Sequence, residues 1–180
     1  MRVWREGVLR TCSVAYSLDN LDDEFCHLSN HCIQVHSAAF GEHEATNEMF
    51  YAEFGRVLGG TVLRDNLLPQ AHRIIVECLL AARDTLEANP ELGGVGCFNV
   101  FGVDLMVDED LSVKLIEVNS SPAVADELVQ DLVADLAKVQ LNRHFSAASS
   151  SAGSSSSAPS NDDGNGWELV YSAERDAALA

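Results

Sequence analysis

Residues 98–119 read FNVFGVDLMVDEDLSVKLIEVN, two β-rich runs on either side of the acidic turn Asp108-Glu109-Asp110. A loop of two residues (Asp110, Leu111) or of four (Glu109 to Ser112) brings Asp104 opposite Glu117. Alternation then sets Gly102, Asp104, Met106, Leu115, Glu117 and Asn119 on one side of the hairpin. Phe101, Val103, Leu105, Val107, Ile116 and Val118 fall on the other, which reads as a core face. Two carboxylates facing each other with no basic residue beside them repel. Two arrangements relieve that repulsion. In one, a carboxylate is solvated at a sheet edge while the other pairs with an arginine; in the other, oxygen ligands on neighbouring strands hold Mg²⁺, bridging to a phosphate. A slip of one residue in the register separates the pair.

Three helices surround this hairpin in the sequence. Directly after it, Ser121 is placed as a cap with Pro122 at the first helical position, Asp126 and Glu127 follow early, and Val124, Leu128, Leu132, Leu136 and Val139 repeat at helical spacing. Arg143 and His144 suit the C-terminal end of that helix. Upstream, Ala71, Ile74, Ile75, Cys78, Leu79, Ala82 and Leu86 form an apolar stripe after Pro69, and Met49, Phe50, Phe54, Val57 and Leu58 form another between Thr46 and Leu58. At the start, Val3 to Arg5 and Val8 to Thr11 flank Glu6-Gly7, which suits a hairpin or a bent edge strand. Gly93-Gly94-Val95-Gly96 precedes a strand instead of opening a helix, so it reads as a flexible connection and not as a phosphate loop; Cys97 beside it reads as core.

The chain has 180 residues and a net charge of −17, and its acidity is shared by the parts before and after residue 145. That balance argues against a sequence-independent nucleic-acid binder and against an anionic membrane surface. No apolar run approaches a spanning helix and MRVWREGVLRT lacks a signal-peptide core, which points to the cytoplasm. Five cysteines without a signal read as reduced thiols. Cys26, His27, His31, Cys32 and His36 admit a zinc reading if the segment is one helix, and otherwise a loop with buried thiols and a packing histidine. From Ser146 to Ser160 the chain reads SAASSSAGSSSSAPS, too poor in apolar groups to offset its ordering entropy. Residues 146–180 are therefore expected to be a disordered linker and tail, with Trp167, Leu169, Val170 and Tyr171 an incidental patch or a short docking motif.

Four blocks in order carry a family resemblance: REGVLRT (5–11), CHLSNHCIQ (26–34), NEMF (47–50), and LIEVN (115–119) thirteen residues after the aspartate of FGVDLMVDE (101–109). Together they resemble the tubulin tyrosine ligase family, over residues 1–145, and NEMF is closer to its tyrosine-adding branch than to its polyglutamylases. The resemblance implies an α+β fold, the C-terminal part of an ATP-grasp domain with antiparallel strands and packed helices. It implies an ATP-dependent ligase that joins an amino acid, tyrosine, to the C-terminal glutamate of tubulin through an acyl phosphate. A polyglutamylase-type ligase and a truncated, non-catalytic protein-binding module are its alternatives. The implied cofactors are ATP and Mg²⁺, the implied partners are the tubulin tail and the incoming amino acid, and the implied location is the cytoskeleton.

Carried over position by position, Asp104, Glu117 and Asn119 resemble the Mg²⁺ and ATP ligands, and Arg10 resembles the arginine at the phosphate or acceptor end. Ser29 and Asn30 resemble the Thr-Asn pair of the nucleotide site, with the hydroxyl kept. Ser120-Ser121-Pro122 is closer to the Ser-Pro form of glutamylating relatives than to the Gly-Ala-Pro of the tyrosine-adding branch. In the family another half precedes REGVLRT and carries phosphate-gripping lysines. Here the lysines are Lys114, expected to snorkel on the hairpin's apolar side, and Lys138 on an exposed helix face. The chain is thus expected to be a fragment with weak or no activity by itself.

Overall fold

A computed structural model describes residues 1–42, 45–87, 98–149 and 165–172, without the side chains of 86–87 and 142–149. The glycine run 93–96, Cys97 and residues 150–164 and 173–180 of the expected linker and tail lie outside these. The chain divides into two compact units, Glu6–Leu63 and Met1–Arg5 with Arg64–Ala180. Both combine helices with small antiparallel sheets, an α+β composition.

In the unit 6–63, β2 (Val8–Arg10) pairs antiparallel with β3 (Glu48–Phe50) in the register Val8↔Phe50, Leu9↔Met49, Arg10↔Glu48. The helix expected over 46–58 is therefore shorter: Met49 and Phe50 belong to the strand, Met49 is buried against the core, and α3 covers only Tyr51–Leu58. The start of α3 is fixed from outside the helix. The Glu6 carboxylate accepts from the backbone N–H of Tyr51 at 2.9 Å and of Gly7 at 3.1 Å, supplying the cap that Phe50 lacks. Gly7 lies under the Tyr51 ring, where an added Cβ would stand 2.6 Å from the hydroxyl. Burial and the Glu6 charge push that phenol's pKa up. This is the local reason for the sequence Glu6-Gly7, which turns away from a hairpin: β1 (Arg2–Trp4) and β2 do not pair with each other.

Between these strands lie two one-turn helices, α1 (Glu24–His27) and α2 (His31–Gln34). Asp23 caps α1 through the N–H of Phe25, and the chain is extended at Leu28. The break at 28–30 removes the single helix that a zinc site on His27/His31 required; His27 instead meets the Asn20 carbonyl and the Tyr16 ring, and His31 meets Asn47 and Phe40.

At the end of the unit 6–63 comes α4 (Gly60–Val62); a π-helical turn (Leu63–Leu67) follows and leads into α5 (Leu68–Glu87) of the other unit. Pro69 cannot donate to the carbonyl four residues back and its ring crowds that carbonyl, and the wide turn immediately before it is where a helix absorbs such a defect. Leu67, Ala71 and Val113 are buried and mark the core beside the hairpin of β4 (Gly102–Val107) and β5 (Val113–Asn119). Gln70 of α5 donates to the Leu111 carbonyl and accepts from the Val113 N–H, holding the loop 108–112 from both sides.

The helix expected at Pro122 begins four residues later, as α6 (Asp126–Ser149). Pro122 instead covers Gly102, where an added Cβ would stand 2.6 Å from the proline Cβ, so this segment is committed to the hairpin. The backbone of α6 runs past residue 145 into the serine-rich stretch. Farther on, the expected incidental patch is a strand, β6 (Trp167–Leu169), antiparallel to β1 (Arg2–Trp4) with Trp4 and Trp167 at 5.5 Å and Asp135 of α6 accepting from the Gly166 N–H. Apolar burial between the two indoles, plus backbone pairing, orders a segment that composition alone leaves free. No helix among the described residues is long and apolar enough to cross a membrane.

Candidate functional site

The expected pairing holds at the site end of the hairpin: Gly102↔Asn119, Val103↔Val118, Asp104↔Glu117. Beyond Asp104 the register shifts by one, to Leu105↔Leu115, Met106↔Lys114 and Val107↔Val113. A β-bulge at this point gives β5 one more residue than β4 and leaves a loop of 108–112 in place of a two- or four-residue turn. Asp108 anchors that loop by accepting from the N–H groups of Asp110 and Ser112, and Leu111 takes a left-handed φ of 59°. The Ser112 bond and the nearby Lys114 ammonium hold the Asp108 carboxyl below its ordinary 3.8.

The bulge also exchanges faces. Cross-strand partners share a side, so Lys114 moves to the Met106 side and reaches Asp108 at 3.5 Å, whereas parity alone put it on the apolar side. The expected core face is not covered: Phe101, Ile116 and Val118 are 49%, 56% and 46% exposed. The physical reason is that the hairpin is a separate two-stranded sheet, so neither face gains a second layer from other strands.

Asp104, Glu117 and Asn119 come together. Asn119 Nδ2 donates to Asp104 Oδ2 at 3.2 Å and to Glu117 Oε1 at 3.1 Å, so one amide spans both carboxylates. Two carboxylates and one amide make an all-oxygen donor set once the amide turns its Oδ1 inward, and such a set fits Mg²⁺, with water and phosphate completing the shell. Among the described residues no group of three or more His, Cys, Asp or Glu gathers, so the amide is a required third member of this set.

Arg10, Ser29 and Asn30 belong to the other unit. Arg10, at the end of β2, pairs through Nε with Glu48 Oε1 at 2.9 Å across the ladder. Asn30 stands at the N-cap of α2 but its side chain makes no capping bond; its carbonyl accepts from the N–H groups of Ile33 and Gln34. Two residues not anticipated as part of this region organise it. Asn47, 2% exposed, donates to the carbonyls of Thr11 and Ser29 and shares a 2.7 Å bond with His31 Nδ1. Gln34, the one fully buried side chain among the described residues, accepts from the Ser13 N–H and donates to the carbonyls of Phe25 and Leu28. The signal that could have found them is a buried amide inside each short block, CHLSNHCIQ and NEMF, where an apolar side chain would satisfy packing but leave carbonyls unpaired.

The family model for the tubulin-tyrosine ligase family matches residues 2–152. Among similar proteins, tubulin glycylase 3B of Tetrahymena thermophila is 26% identical over 97% of this chain, and tubulin glycylase 3D of the same organism is 31% identical over 74%. A probable tubulin polyglutamylase, TTLL9 of Bos taurus, is 24% identical over 73%. The chain spans only 15%, 14% and 28% of the lengths of these three relatives. A family match over most of the chain, carrying all four of the sequence blocks, shows that the chain belongs to the tubulin-tyrosine ligase family.

Proposed function

We propose that this chain supplies the carboxylate part of an ATP-dependent ligase domain that forms an amide bond between an amino acid and tubulin. The observation that carries this reading is the Asp104–Glu117 pair, opposed across the ladder and spanned by Asn119. Bound there, Mg²⁺ would neutralise charge on the nucleotide phosphates during transfer to the acceptor carboxylate. In this reading Asp104, Glu117 and Asn119 would hold the cation, and the roles carried over for Arg10, Ser29 and Asn30 are contacts to nucleotide or acceptor. The lysines that grip phosphate in the family have no counterpart in Lys114 or Lys138: the first is committed to Asp108 and the second to Asp135 at 2.6 Å.

The added amino acid is glutamate or glycine, not tyrosine. Supporting this are the printed names of the similar proteins, glycylases and a polyglutamylase, together with Ser120-Ser121-Pro122. The tyrosine reading rested on NEMF, and its Asn47 and Met49 serve the local fold through the buried amide network and the core. Beyond the ligase part, β6 pairs with β1, and the protein works on the cytoskeleton in the cytoplasm. The test is amino-acid transfer: labelled glutamate, glycine and tyrosine are supplied separately with Mg²⁺-ATP, and label on tubulin is followed with the wild-type chain and with Glu117→Ala. Weak glutamate or glycine transfer that requires ATP and is lost in Glu117→Ala is expected, weak because this chain has no phosphate-gripping lysine. Tyrosine transfer would reverse the specificity, and transfer indifferent to Glu117 would contradict the site.

A further inference from the structure

We infer that Asn47 and Gln34 are positioning residues that hold Ser29-Asn30 in register with the end of β2; this rests on the reading of Ser29 and Asn30 as nucleotide-facing. The two amides grip consecutive carbonyls, Leu28 through Gln34 and Ser29 through Asn47, immediately before Asn30. Asn47 uses its second N–H on the Thr11 carbonyl, one residue beyond Arg10, and its backbone carbonyl accepts from the Thr11 N–H. Its Oδ1 meets His31 Nδ1 and the side chain is only 2% exposed, so the amide is closed off from a ligand. Gln34 is equally closed off, bonded to Ser13, Phe25 and Leu28. These residues therefore act through others and do not touch substrate.

The loop they hold is otherwise weakly built. Between the one-turn helices α1 and α2 the chain is extended at Leu28, and a four-residue helix provides little rigidity of its own. The Asn30 side chain is left out of its own cap, so what fixes its direction is the pair of carbonyls held just upstream. Loss of the Asn47 donors leaves the partly buried Ser29 carbonyl without this partner and frees the loop to reorient. Both amides sit inside the sequence blocks that the chain shares with its family, CHLSNHCIQ and NEMF, and the geometry accounts for their place there.

The test uses the whole chain with Asn47→Asp, which keeps the shape and the acceptor for His31 but turns the donor toward Thr11 and Ser29 into a second acceptor. Backbone hydrogen exchange is followed at Ile33 and Gln34, whose N–H groups bond to Asn30, and at Leu9 and Met49 in the ladder, with and without Mg²⁺-ATP. Expected are exchange about tenfold faster at Ile33 and Gln34 with the ladder unchanged, and a Mg²⁺-ATP affinity about tenfold weaker, the loss of roughly one hydrogen bond. Unchanged exchange at Ile33 and Gln34, or equal acceleration in the ladder, overturns the positioning role while leaving the nucleotide reading intact. If Mg²⁺-ATP alters exchange at none of residues 29–34 in the wild-type chain, the nucleotide reading fails and the positioning role falls with it. Should Asn47→Asp not fold, Asn47→Ser carries the same comparison.

Discussion

Asn119 donates to Asp104 and Glu117 together, so its amide offsets part of the repulsion between two opposed, exposed carboxylates. Asn119→Leu keeps a side chain of similar size and removes that offset. The variant is expected to melt at a lower temperature than the wild type in metal-free, low-salt buffer, and the gap is expected to narrow on raising the salt. A second prediction concerns Asp108. Its pKa lies below the ordinary 3.8 when folded, through the Ser112 N–H and Lys114, so its contribution is complete above that value and is lost as pH falls through the folded value. Asp108→Asn is expected to flatten the acid limb of a plot of melting midpoint against pH between about 5 and 2. Both sites were readable to different degrees. The opposition of Asp104 and Glu117 agrees with the spacing because two departures cancel: the five-residue loop 108–112 moves the pairing by one, and the bulge beyond Asp104 moves it back. Lys114 was assigned to the wrong side, because a single bulge residue reverses parity and has no glycine or proline to announce it.

At the scale of elements, the hairpin is tied to α5 by Gln70, which pairs with Leu111 and Val113 across the loop. Gln70→Ala is expected to destabilise the chain by about 1–2 kcal/mol in urea unfolding, since two partly buried backbone groups lose their partner. The strand β6 makes a sharper prediction. Both tryptophans of the chain meet in one contact between β1 and β6. Trp167→Ala is expected to red-shift the emission of Trp4 and to lower stability by at least about 1 kcal/mol; an unshifted spectrum would mean that the strand does not form. Long periodic elements were legible, as the stripe from Ala71 to Leu86 became α5. Of the short strands, β1 and β2 were legible on either side of Glu6-Gly7, but β3 was not: Met49 and Phe50 fit a helical period, and only pairing with Val8 and Leu9 makes them a strand. Trp167 to Leu169 likewise acquire structure from a partner more than 160 residues away, which no local pattern contains.

Across the whole molecule the governing quantity is charge. With −17 overall, and eight acidic residues but no lysine or arginine between Arg10 and Arg56, the chain opposes its own folding and opposes an anionic nucleotide. Its melting midpoint is expected to rise as ionic strength goes from about 0.01 to 0.15 M, where the Debye length falls from about 30 to 8 Å. On the proposed reading, the same repulsion would make nucleotide binding depend on a divalent cation, and so on the hairpin carboxylates. The decisive measurement is thermal unfolding of the chain with and without Mg²⁺-ATP, for the wild type and for Asp104→Ala. At a ligand concentration of about 100 Kd the account predicts a rise of about 5–10 °C for the wild type and none for Asp104→Ala. An equal rise in both proteins, or no rise in the wild type, would contradict it.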